Sequence, residues 1–165
     1  MNYYESVVIE YLRADRALFL NTQCCIQLNE GKNPDTSGLH WYCDAVATDF
    51  RRKSVFLCEI SYSAQLSDML RRLKGWHDSW ELICKALIRD SALPVDWPMR
   101  PWLFVPEDRL GHLNSWYEGI TRGGVTAKFA PLVTTLEMVQ PWRYCSWNRV
   151  GENGKPDTVP EVMRA

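Results

Sequence analysis

The stretch HWYCDAVATDFRRKSVFLCEISYS, residues 40–63, decides the fold. Two apolar runs, 41–49 and 54–62, flank the basic turn Arg51–Arg52–Lys53, the pattern of a β-hairpin. Each run holds one acid among apolar neighbours, Asp44 in the first and Glu59 in the second. A tight turn centred on Arg51 and Arg52 places these acids directly opposite, with Cβ atoms about 4.5–5.5 Å apart. In that register Tyr42, Val46, Leu57 and Ser61 share the acids' face, and Cys43, Ala45 and Cys58 the reverse. Both faces are largely apolar, so both should be covered by other elements.

Like charges directly opposite one another destabilise a hairpin, and more so in a covered sheet. Three offsets are open. A divalent cation binds both carboxylates, a Lys or Arg pairs with them, or one carboxyl keeps its proton through a raised pKa. Mg²⁺ suits a site of one or two carboxylates completed by phosphate oxygens and water.

Outward from the hairpin, residues 3–14 carry apolar side chains at helical spacing, and 17–28 read as a first strand. The segment 29–38 is dense in turn residues and reads as a loop. Beyond the hairpin, Leu66, Met69, Leu73, Trp76, Trp80 and Ile83 form one stripe at helical period, predicting a long helix over 63–90 with Ser63 as N-cap. A strand is expected at 101–106, a helix near 107–119 and a further strand at 127–139, interrupted or edged at Pro131. The order is helix, three strands, long helix, strand, then additions. It predicts an α/β domain over 1–147, a mixed central sheet of about four or five strands flanked by helices, with a fraying tail at 148–165.

Nineteen basic residues against twenty acidic ones give a net charge of −1, which does not advertise nucleic-acid binding but leaves room for a local basic patch. No stretch approaches the apolar length of a membrane span, and Glu5 and Glu10 rule out a signal peptide, so a cytoplasmic protein without a membrane partner is expected. The six cysteines include no CxxC pair and read as free thiols, mostly buried; the three histidines lack ligand spacing, so no zinc site is expected. The tryptophans Trp76, Trp80 and Trp116 read as core rather than as a base-stacking platform.

An acid on the second strand, a hairpin, then acid-x-Lys on the third strand marks the PD-(D/E)XK, or restriction-endonuclease-like, nuclease superfamily. The segment "YCDAVATDFRRKSVFLCEIS" resembles it, with Asp44 and Glu59 as the two acids and Ser61 where the motif has Lys. "YESVVIEYL" is similar to the first helix of small resolvase-like members and puts Glu5 in the role of a third acid, with Glu10 as the other candidate. The resemblance covers roughly residues 3–105. It implies a restriction-endonuclease-like core and a Mg²⁺- or Mn²⁺-dependent nuclease acting on DNA, with Asp44, Glu59 and Glu5 as metal ligands and Ser61 positioning water. Arg71, Arg72 or Lys74 on the long helix would supply the missing positive charge, with Lys74 counted among the catalytic candidates. Arg51, Arg52, Lys53, Arg71 and Arg72 are the candidate phosphate contacts. Loss of the motif Lys equally fits a catalytically inactive nuclease-like fold that binds or regulates a partner. For each set a plainer reading stands beside this one: Glu59 paired with an Arg of the long helix, Asp68 with Arg72 four residues on, and the hairpin tip simply solvated.

Overall fold

The computed structural model describes residues 2–29, 38–122, 126–145, 149 and 161–162. Helix α1 (Tyr3–Ala14) starts from a capping box: Asn2 Oδ1 accepts the Glu5 backbone N–H at 2.9 Å, and Glu5 Oε2 accepts the Asn2 N–H at 3.1 Å. Strands β1 (Leu18–Gln27), β2 (His40–Asp49) and β3 (Ser54–Ile60) follow, then helix α2 (Ser67–Ser91) and strand β4 (Met99–Val105). A single 3₁₀ turn (Glu107–Arg109) leads into helix α3 (Leu110–Thr121), then β5 (Leu132–Thr135) and the two-residue β6 (Glu161–Val162).

The strands lie side by side in chain order. β2 runs antiparallel to both of its neighbours, β1 and β3; β3, β4 and β5 are parallel, and β6 is antiparallel to β5. Helix α1 covers one face, burying Val8, Tyr11 and Leu12 against Ala45, Phe56 and Trp102. Helices α2 and α3 cover the other, burying Leu73, Trp76 and Tyr117 against Val46, Leu57 and Leu103. All seven residues of β3 are buried, as expected of a central strand covered on both sides. The class is thus α/β with a mixed sheet between helices. No helix among the described residues is long and apolar enough to cross a membrane.

Several expectations are corrected. Helix α2 begins at Ser67, one turn later than expected, because Leu66 takes a left-handed conformation (φ 54°) and buries its side chain. Ser63 still caps, but it caps the preceding turn, its Oγ accepting the Leu66 N–H at 3.0 Å. The strand expected over 127–139 shrinks to Leu132–Thr135: Pro131 has no N–H to give the ladder, and Met138 N–H turns back onto Thr135 O. Of the tail expected at 148–165, Arg149 is buried with its guanidinium over Tyr11 and Trp102, and Glu161–Val162 pairs with β5; the rest lies outside the described residues.

The largest correction concerns faces. Leu18 and Leu20 pack on the α1 side, whereas Cys24 and Ile26 pack on the α2 side, although all four numbers are even. β2 does the same: Cys43 faces α2, but Ala45 and Ala47 face α1. The register is unchanged across the break, with Thr22 opposite Ala45 and Cys24 opposite Cys43. One residue of each strand, Gln23 and Asp44, has therefore stepped out of the pleat together. Gln23 has φ 55°, which marks the kink. Tyr42 consequently points outward, and Cys43 shares the α2 face with Val46, the reverse of the simple alternation.

Candidate functional site

The hairpin pairs as expected. Ala45 opposes Cys58 and Asp49 opposes Ser54, and the same register continued by one step sets Asp44 opposite Glu59. The β2–β3 ladder ends at Ala45 because Asp44 has left the pleat. Its carboxylate takes over the ladder's work there: Asp44 Oδ2 accepts the Ile60 backbone N–H at 2.7 Å.

Arg72 reaches the acids from α2. Its Nη1 lies 2.6 and 2.7 Å from the two oxygens of Glu59 and 3.9 Å from Asp44 Oδ1. Glu59 is 4% exposed. Burial, with the neighbouring Asp44 charge, pushes its carboxyl up to about 8 despite Arg72. Burial also raises Asp44, against the pull of the Ile60 N–H and Arg72. Burial works against the charge on Arg72, but Glu59 and Asp44 hold it above the ordinary guanidinium value. A cavity of about 90 Å³ opens beside Asp44, lined by Glu5, Ile9, Gln23, Asp44 and Ile60. Glu5 thus faces the same space from α1. Its charge adds to the repulsion on both acids, while its oxygens also close the cap on Asn2.

The remaining candidates fall elsewhere. Lys74 points to solvent and donates to Asp78 Oδ2 at 2.8 Å, so the cation at the acids is Arg72. Asp68 pairs with Arg71, three residues on, rather than with Arg72. The Ser61 hydroxyl serves the turn after β3, accepting the Ser63 N–H at 3.4 Å. Arg51, Arg52 and Lys53 sit at the far end of the hairpin, about 17 Å from Glu59 at the rise of an extended strand. There Arg51 pairs with Asp15 and Arg52 with Asp49. The candidate phosphate contacts are therefore spread over two ends of the molecule rather than gathered in one patch. Gln23 escaped the sequence reading, although the polar interruption Asn21–Thr22–Gln23 in an otherwise apolar strand was its signal.

Chemically, the site offers hard oxygen donors and more negative charge than its one arginine neutralises. That donor set suits a divalent cation such as Mg²⁺ or Mn²⁺. Among the described residues no three His, Cys, Asp or Glu side chains already converge in the geometry of a metal site. Arg72, the Ile60 N–H and Asn2 hold oxygens that a cation would take. Comparison of the chain with protein-family models, curated proteins and solved structures finds no match.

Proposed function

We propose that the chain is a divalent-cation-dependent nuclease that hydrolyses phosphodiester bonds in DNA. The observation that carries this reading is the juxtaposition of the buried Glu59 and the half-buried Asp44 across β2 and β3 with Arg72 between them, and Glu5 facing the adjoining cavity. Asp44 and Glu59 would hold the cation, with Glu5 assisting. When bound, the cation supplies an activated water and stabilises the leaving oxygen. The chain's own residues do the rest. Arg72 brings from α2 the positive charge that Ser61 lacks, and it offsets charge developing on the phosphate. The Ile60 N–H fixes the Asp44 carboxylate on its second oxygen. Burial and the Asp44 charge push the Glu59 carboxyl up to about 8, so its charged form, the one that would hold a cation, is favoured as pH rises.

The test is cleavage of single- and double-stranded DNA with Mg²⁺ or Mn²⁺. Asp44→Ala and Glu59→Gln are expected to abolish it, Arg72→Met to reduce it at least tenfold, and Lys74→Ala to leave it unchanged. Full activity in Asp44→Ala would overturn the assignment. A second reading is favoured by one contact: both Glu59 oxygens already lie on Arg72. On that reading the acids serve an inactive nuclease-like fold that binds or regulates a partner, and the wild-type protein is folded but neither cleaves nor binds a divalent cation.

A further inference from the structure

The register places two cysteines directly opposite one another, Cys24 on β1 and Cys43 on β2. Both belong to the α2 side of the sheet, Cys43 buried and Cys24 half-buried at its margin. Directly paired residues of antiparallel strands have Cα atoms about 4.5–5.5 Å apart. A disulfide requires about 4.4–6.8 Å, so the backbone already meets its geometry. The thiols are close to each other's surroundings: Cys43 Sγ donates to Cys24 O at 3.9 Å, and Asn21 Nδ2 donates to Cys24 Sγ at 3.7 Å. Cys25 sits opposite Tyr42 rather than a cysteine, and Cys58 lies on the α1 side of the sheet. Cys24 and Cys43 also flank the kink, each next to one of the residues that leaves the pleat, Gln23 and Asp44.

We propose that Cys24 and Cys43 are a built oxidation site, a dithiol that a hydroperoxide converts to a cross-strand disulfide clamping the Gln23–Asp44 kink. The sulfur of Cys24, the more accessible of the two, attacks one peroxide oxygen. The O–O bond breaks, and the departing hydroxide takes the thiol proton and leaves as water. The resulting sulfenic acid is attacked by the Cys43 sulfur; the S–O bond breaks, the S–S bond forms and a second water departs. Two thiols together lose two electrons and two protons, and one hydrogen peroxide becomes two waters. The new bond ties β1 to β2 beside Asp44 and restricts the unfolded chain, so the oxidised protein is the more heat-resistant form. This inference stands apart from the nuclease reading.

The experiment treats the full chain with equimolar hydrogen peroxide, alkylates the remaining thiols and maps tryptic peptides by mass spectrometry. Cleavage after Arg16, Lys32 and Arg51 puts Cys24 and Cys25 in one peptide and Cys43 in another, so Cys25→Ser is run in parallel to separate them. The expected first product is a cross-link between these peptides, lighter by two hydrogen atoms than their sum. It persists in Cys25→Ser, is lost in Cys24→Ser and raises the thermal midpoint. Three results would each overturn the proposal: Cys24 accumulating as sulfinic acid beside an alkylatable Cys43, a first disulfide through any other cysteine, or an oxidised protein that melts lower. Cys43→Ser repeats the loss from the other side. Should that buried variant not fold, the half-buried Cys24→Ser carries the control.

Discussion

Two buried carboxylate clusters occupy opposite ends of the β2–β3 hairpin, and their charge counts are reversed. At the turn end, Asp15 is 2% exposed and is met by two arginines, Arg51 at 2.7 Å and Arg149 at 3.0 Å, with the Ala17 N–H at 3.0 Å. Burial raises its carboxyl, but Arg51, the Ala17 N–H and Arg149 outweigh it and hold the pKa below the ordinary value. At the open end, Asp44 and Glu59 share one arginine, Glu5 adds to their repulsion, and both pKa values rise. Asp15 and Glu59 are both buried, whereas Asp44 is half-buried; the partners at both ends are arginines and backbone N–H groups. The turn-end cluster is complete and holds α1, the hairpin and Arg149 together. The open-end cluster is short of positive charge by comparison, and the proposed cation site rests on that imbalance.

Breaking the complete cluster should cost the most. Asp15→Ala leaves the buried Arg149 without its carboxylate and is expected to lose about 3–4 kcal/mol in urea unfolding, the usual cost of stranding one buried charge. Loss below about 1 kcal/mol would mean that the turn-end pair is no tighter than a surface one. At the open end, Arg72→Met should cost roughly 2–4 kcal/mol at pH 8.5 and clearly less at pH 5, where Glu59 is protonated and needs its partner less.

Glu59→Gln should act in the opposite direction. The folded pKa of Glu59 is raised from 4.5 to about 8, so the folded state holds this proton more tightly than the unfolded chain. The stability it contributes is fully present below pH 4.5 and is lost as pH rises through about 8. Metal-free wild type should therefore lose stability across that window by this term. Glu59→Gln, which mimics the protonated carboxyl, should flatten the decline and be the more stable protein at pH 8.5. Thermal melts across pH 5–9 read this directly, and a Glu59→Gln protein less stable than wild type at pH 8.5 would return the open end to the class of ordinary ion pairs. Lys74→Ala should do least, staying within about 0.5 kcal/mol of wild type, because its only described partner is the exposed Asp78.

The hairpin register was legible in the sequence because it rests on local features: a basic turn with one acid placed symmetrically on either side. The element order was legible for the same reason, each element carrying its own period. The kink was not, because stepping Gln23 and Asp44 out of the pleat is a concerted act of two strands, and neither strand's alternation reveals it alone. The choice of Arg72 over Lys74 was written in the helix phase. Arg72 stands three residues after Met69 and four before Trp76, on the border of the buried stripe, whereas Lys74 stands four before Asp78 on the outer side. The weak point was where packing overrides local preference: Leu66, buried in a left-handed turn, delays the start of α2.

The most direct test of the central claim is calorimetric titration of the reduced protein with Mn²⁺ and Mg²⁺ at pH 8, beside Asp44→Ala. Saturable binding in wild type, weaker at pH 6 where the cation must displace the Glu59 proton and absent in Asp44→Ala, is the predicted result. A folded wild-type protein that takes up neither ion, or Asp44→Ala binding as well as wild type, would contradict it.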